Sequence, residues 1–109
     1  EQTAALQMLE DARILEEAGA AILLLECVQT LLAEEITENS KVPVVGIGAG
    51  PHTDAQVLVL HDMLGITPGK KPKFVKDFMQ GSSSVVEAVE NYVSAVRDGS
   101  YPAPEHSFE

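Results

Sequence analysis

Ala20-Ala21-Ile22-Leu23-Leu24-Leu25-Glu26-Cys27 is the most apolar run in the chain, and it closes on an acid. An unbroken apolar stretch of this length, without polar alternation, reads as a strand buried on both faces, the kind that parallel sheets use. Such sheets carry their ligand chemistry just beyond the carboxyl ends of their strands. Glu26 is therefore placed at the rim of a sheet, where partial desolvation suits a carboxylate to accept a proton near neutrality. The competing reading is a glutamate that caps a helix or sits in a loop in water.

Outward from this strand the pattern alternates. Residues 3–18 gather Ala5, Met8, Leu9, Ala12 and Leu15 on one face of an amphipathic helix, and Gly19 follows as its left-handed stop. After the strand at 20–26, a second helix is predicted over 28–39, with Val28, Leu31, Leu32 and Ile36 as its inner stripe. Asn39-Ser40 breaks it, and Val42-Pro43-Val44-Val45-Gly46-Ile47 is the next strand, with Pro43 near its start, where the missing donor costs least. Helix–strand–helix–strand order with continuous apolar strands indicates an α/β protein built on a parallel sheet.

Further along, Gly48 to Asp54 reads as a loop and Gln56-Val57-Leu58-Val59-Leu60 as another strand, continued by one helical turn over 61–65. A single helix over 55–64 is the competing reading, because period alone separates the two poorly at that length. Residues 66–81, with Pro68, Gly69, Pro72, Gly81 and four lysines, are expected to be a surface excursion of little regular structure. The last helix runs over about 82–98, opened by a capping box of Ser84 and Glu87 and ended by Gly99, with Val85, Val89, Tyr92 (or Val93) and Val96 inward. The tail from Ser100 to Glu109 is extended or turned.

At 109 residues and 45% hydrophobic content this is at most one globular domain. Seventeen acidic residues against seven Lys plus Arg give a net charge of −10, which repels phosphate backbones and argues against nucleic acid as a partner. No apolar stretch approaches the ~20 residues of a membrane span, and the lone cysteine, Cys27, in apolar surroundings points to a reduced, intracellular setting. Three parallel strands leave open sheet edges that need cover. The cover is expected from the upstream part of a longer chain, in keeping with a start at Glu1 inside a helical pattern and without methionine.

Several side chains invite a chemical reading. Gly46-Ile47-Gly48-Ala49-Gly50 has the wrong spacing for a dinucleotide fingerprint, but it permits backbone N–H groups to approach an anion, or else makes a crowded turn. His52, His61 and His106 lack an i, i+4 partner and a nearby cysteine, so a zinc site is not expected. Thr53 and Asp54 are expected to satisfy loop backbone groups, and His61-Asp62 to end a helix or pack. Lys70-Lys71-Pro72-Lys73-Phe74-Val75-Lys76 is basic on an acidic chain; a solvated loop or a guide for an anionic cofactor tail would both fit. Cys27 reads as a small core residue, since no histidine is in view to activate it.

The motifs taken in order are more specific than any one of them. Glu17-Ala18-Gly19-Ala20, Leu24-Leu25-Glu26-Cys27-Val28, Val42 to Gly50, Thr53-Asp54 with Gln56 to Asp62, Pro72 to Lys76, and Tyr101-Pro102 with Glu105-His106-Ser107-Phe108 closely resemble the ketopantoate hydroxymethyltransferase family over essentially the whole chain. The resemblance implies the C-terminal portion of a (β/α)8 TIM barrel of the phosphoenolpyruvate/pyruvate type. The chain would run from the fifth helix to the closing helix at about 82–98, all of it (1–109) within one barrel domain. It implies transfer of a hydroxymethyl group from methylenetetrahydrofolate to 3-methyl-2-oxobutanoate, giving ketopantoate for pantothenate synthesis. The glutamate of the Leu-Glu-Cys motif, here Glu26, would be the general base. Magnesium is implied as the cofactor, with ligands in the N-terminal part of the barrel and none in this chain, and no residue here is assigned to the folate.

The same resemblance implies a cytoplasmic homo-oligomer that takes the oxo acid and the folate as small-molecule partners, has no membrane partner, and is inactive without its N-terminal part. Gln29 stands where the family usually has proline, and Ala55 where it usually has glycine. Ala55 reads either as a harmless loop change or as a restriction on a turn that needs positive φ. Two alternatives share this sequence. One is another carbon–carbon lyase or mutase on a barrel of the same type, and the other is a non-catalytic α/β binding or assembly module.

Overall fold

The computed structural model describes residues 2–109. Helix α1 (Gln2–Glu17) leads to strand β1 (Leu23–Glu26), helix α2 (Thr30–Asn39) and strand β2 (Val44–Ile47). A two-residue strand β3 (Ala55–Gln56), one helical turn α3 (Leu60–Met63), the long helix α4 (Val85–Asp98) and a 3-10 turn (Pro104–His106) complete the order. The strands form one parallel sheet, β1-β2-β3, in which Leu23 pairs with Val44, Glu26 with Ile47, and Val45 with Ala55. The α/β alternation and the parallel sheet are those the apolar pattern predicts.

Alternation along β1 decides what the sheet buries. Leu23 and Leu25 face the helices and are buried with Val28, Ala33, Ile36, Val44 and Ala49, while Met8, Leu9 and Ala12 of α1 pack over them. Each leucine, isoleucine or valine among them contributes about 1.5–3 kcal/mol when fully withdrawn from water. The opposite face is bare: Ile22 is 57% and Leu24 62% exposed. The expectation that β1 is buried on both faces is thus corrected to one face, because no layer of the described residues covers the other. The helical stripes are also turned from the predicted ones. Leu31 is 76% exposed and the small Ala33 lies fully buried in its place, letting α2 sit close to the sheet, while Leu15 of α1 points outward.

A second apolar cluster lies beyond the strand ends, formed by Leu58, Met63, Phe74, Phe78, Ala88, Ala95 and Tyr101. Segment 66–81 has little regular structure, as expected, but it is more than a surface excursion because it supplies Phe74 and Phe78 to this core. Phe78 meets Tyr92 and Tyr101 edge-on, with ring centroids 5.4 and 5.3 Å apart. The predicted strand over 56–60 shrinks to Ala55–Gln56, and its continuation becomes the single turn α3; a helix over 55–64 does not form. Among the described residues β3 has only β2 to pair with, so the ladder ends once Val57 N–H has bonded to Gly46 O at 3.0 Å.

Helix α4 carries the Ser84 half of the predicted capping box: Ser84 Oγ accepts from Glu87 N–H (3.1 Å), whereas the Glu87 carboxylate accepts from Ser83 N–H (2.9 Å), one residue before the cap. Its inner face is Ala88, Val89, Tyr92, Ala95 and Val96, whereas Val85, expected inward, is exposed. Gly19 and Gly99 follow their helices with φ of 104° and 83°. The tail folds back over the second cluster: buried Tyr101 donates its hydroxyl to Phe74 O, and burial pushes its pKa up. Burial also lowers the pKa of His106, whose Nδ1 accepts from Ala103 N–H at 3.1 Å. Among the described residues no helix is long and apolar enough to cross a membrane.

Candidate functional site

Glu26 is the last residue of β1, at the carboxyl end of the sheet. By alternation its side chain lies on the bare face with Ile22 and Leu24, and its partner across the ladder is Ile47. Ile47 packs against the second cluster, so one side of Glu26 is walled by protein. The other side is open, and Glu26 is exposed. The sheltered rim expected for Glu26 is therefore not built by these residues. β1 is an edge strand, and the wall that would desolvate the carboxylate belongs on its free edge. A groove of about 400 Å³ runs along that edge, lined by Met8, Leu15, Ile22, Leu24 and, at its end, Glu26. A second groove of about 420 Å³, between Leu9, Arg13 and Ile36, does not include Glu26.

Immediately after Glu26 the chain turns sharply. Cys27 adopts φ 55°, and its N–H donates to Ile47 O at 2.9 Å, which ties the end of β1 to the end of β2. Cys27 is exposed, so its expected place in the core is corrected: it forms the strand-to-helix turn. A non-glycine residue in this region is uncommon and costs energy, and it aims the backbone toward the start of α2.

The glycine turn lies directly opposite. Gly48 has φ 66°, and a Cβ built there would sit 2.7 Å from Phe74 Cδ2; at Gly50 (φ 78°) it would sit 2.7 Å from Thr30 Oγ1. The turn is a crowded one, in which missing side chains make room for Phe74 and Thr30. We expect Gly48→Ala to lower stability by at least ~2 kcal/mol, from the left-handed backbone and the displaced ring together. A thermal-unfolding comparison of the two proteins checks it, and an unchanged midpoint would contradict this packing.

Around the turn the polar side chains mostly hold backbone. Asp54 Oδ2 accepts from Val44 N–H (2.8 Å), Thr53 Oγ1 donates to Ala55 O (2.8 Å), and Gln56 Nε2 donates to Gly50 O (2.8 Å). The loop roles expected for Thr53 and Asp54 are thus observed. His52 reaches Glu34 of α2 at 3.5 Å. His61 is exposed, and buried Asp62 takes a hydrogen bond from Thr67 at 2.6 Å. Among the described residues no group of three His, Cys, Asp or Glu side chains is placed to hold a metal ion.

Sequence reasoning missed what binds the tail to this end of the sheet. Phe108 O accepts from both the N–H (2.9 Å) and the Oγ1 (3.1 Å) of Thr30, and Glu109 O accepts from Gln29 Nε2 (3.0 Å). Lys73 Nζ stands 5.3 Å from the centre of the Phe108 ring. No local pattern signals these contacts, because they join residues 78 and 80 positions apart.

Residues 1–104 match the family model described as ketopantoate hydroxymethyltransferase. The chain belongs to the ketopantoate hydroxymethyltransferase family. Proteins named 3-methyl-2-oxobutanoate hydroxymethyltransferase from Burkholderia mallei (strain SAVP1) and Burkholderia pseudomallei (strain 668) are each 60% identical to it over 107 residues. A relative of the same name from Burkholderia thailandensis shows the same 60% identity. The alignments take in 98% of this chain and 40% of each relative, so the chain spans two-fifths of the length of these ketopantoate hydroxymethyltransferase relatives. The two local departures from the family pattern are accommodated. Gln29 holds φ −57°, close to the angle proline would impose, and Ala55 sits in β3 without a positive φ.

Proposed function

We propose that this chain is the C-terminal part of a (β/α)8 barrel of the phosphoenolpyruvate/pyruvate type. In our reading the completed barrel transfers a hydroxymethyl group from methylenetetrahydrofolate to 3-methyl-2-oxobutanoate, with Glu26 as general base. The observation that carries the reading is where Glu26 stands. It is the one acid at the carboxyl end of an apolar parallel strand, beside a tight glycine turn, on a sheet face left bare. Barrel chemistry is sited at that end of the strands. The exposed Ile22 and Leu24 and the apolar groove along β1 are the surfaces a further strand and the barrel interior would cover.

In the proposed reaction Glu26 takes the C3 proton of the oxo acid, and the electron pair left on that carbon forms the new bond to the one-carbon unit. Both bonds from the one-carbon unit to the folate nitrogens break, and water supplies the hydroxyl oxygen. Tetrahydrofolate leaves with one nitrogen carrying the proton passed on from Glu26 and the other a proton from the water. Magnesium, which the resemblance implies, finds no ligand set among the described residues. We assign its ligands to the N-terminal part, and the steps given to this chain use its own groups alone. On the same reading the protein works in the cytoplasm as a homo-oligomer.

Mixing this chain with its N-terminal complement tests the assignment. The reconstituted barrel is expected to exchange the C3 proton of 3-methyl-2-oxobutanoate with solvent, and neither part should do so alone. Lysis of an oxo acid without use of the folate would replace this reaction with a lyase.

A further inference from the structure

We propose that the basic segment Lys70–Lys76 is a binding strip for the carboxylate tail of the folate co-substrate, an inference that rests on the proposed function. Lys70, Lys71, Lys73 and Lys76 are four of the seven Lys plus Arg in a chain that carries seventeen acids. All four are exposed, and among the described residues none has a carboxylate within ion-pair distance. Concentrating most of the positive charge of an acidic protein in seven residues makes one landing place for an anion on a surface that otherwise repels it.

The strip is fixed at the same end of the sheet as Glu26. Phe74, inside the strip, fills the space above Gly48, the residue after Ile47, and Ile47 is the ladder partner of Glu26. Lys73 lies over Phe108, whose carbonyl oxygen is bound by Thr30 at the start of α2, four residues beyond Glu26. Lys76 Nζ stands over the Phe78 ring, 5.1 Å from its centre, so the second cluster holds its ammonium while the side chain remains exposed. Lys70 and Lys71 precede this anchored part and face solvent.

Folate suits such a strip. Its one-carbon unit is carried on the pteridine side, and a benzoyl spacer separates that end from a glutamate with two carboxylates. Each added γ-linked glutamate contributes one more. With the reacting carbon at Glu26, the tail extends outward across the rim, and additional glutamates meet additional lysines.

Binding of tetrahydrofolate monoglutamate and triglutamate to the completed barrel, measured by calorimetry, tests this. The triglutamate is expected to bind more tightly, and Lys70→Gln/Lys71→Gln to reduce that preference roughly three- to tenfold, the range for two exposed charge pairs. Raising the salt concentration should erode the preference in the same direction. Equal binding of the two folates, an equal loss for both in the variant, or a preference that the variant retains would each overturn the strip. Proton exchange at C3 of the oxo acid requires no folate tail. Its loss would strike the Glu26 assignment, and its persistence without a tail preference would strike the strip alone.

Discussion

Replacing Glu26 by glutamine in the completed barrel should reduce C3 proton exchange by about two orders of magnitude or more, the share a positioned general base contributes. The amide keeps the size of the side chain and removes only its ability to accept the proton. Glu26 is exposed in this chain and makes none of the hydrogen bonds that hold the turn, so the substitution should leave folding intact. Exchange followed by NMR in deuterated water, with the far-UV spectrum and unfolding midpoint recorded alongside, separates the two effects. Undiminished exchange in a folded Glu26→Gln protein would remove Glu26 from the role proposed for it. Cys27 is the neighbour most open to rival claims, but its left-handed backbone and its bond to Ile47 O explain its position without chemistry.

The largest effect on stability is expected at Phe78. It is 4% exposed and meets Tyr92 and Tyr101 edge-on, so Phe78→Ala removes a filled ring site and two aromatic contacts. The expected loss is about 3–5 kcal/mol, set against a typical total of about 5–15 kcal/mol for a domain. Leu31→Ala, at an outward position of α2, should change stability by less than about 0.5 kcal/mol. Urea unfolding of the two variants in the completed barrel makes the comparison. A similar loss from both would mean that the second cluster is not a core. The same cluster holds Tyr92, whose hydroxyl is enclosed without a hydrogen-bond partner among the described residues and whose pKa burial raises.

The contrast between those two positions shows what could be read from the sequence and what could not. The apolar runs at 20–25 and 42–47 announce parallel strands, and Ser84 with Glu87 announces a helix start, because each signal is local. Periodicity also tells which side chains of a helix share a face. It does not tell how that face is rotated against the sheet, which is why Leu31 reads as inward and Ala33 holds the place. The segment 66–81 looks like solvent-facing loop because its two phenylalanines are sparse and aperiodic. Their burial depends on partners far along the chain, such as Tyr101, whose hydroxyl binds Phe74 O.

At the candidate site the split is similar. The position of Glu26 at a strand end follows from composition, and the loop duties of Thr53 and Asp54 follow from their side-chain chemistry. The exposure of Glu26 does not, because shelter comes from neighbours, and among the described residues β1 has a neighbour on one edge only. The glycines at 48 and 50 could be read as an anion nest or as a crowded turn. Only the positions of Phe74 and Thr30 decide for the second.

The way the last residues seat on α2 bears on how the protein is handled. Glu109 is held by Gln29, three positions from Glu26, and Phe108 serves as the acceptor that caps Thr30. A purification handle or reporter attached behind Glu109 would emerge beside the carboxyl end of β1 and pull on that seat. Such additions are better placed away from this end of the sheet.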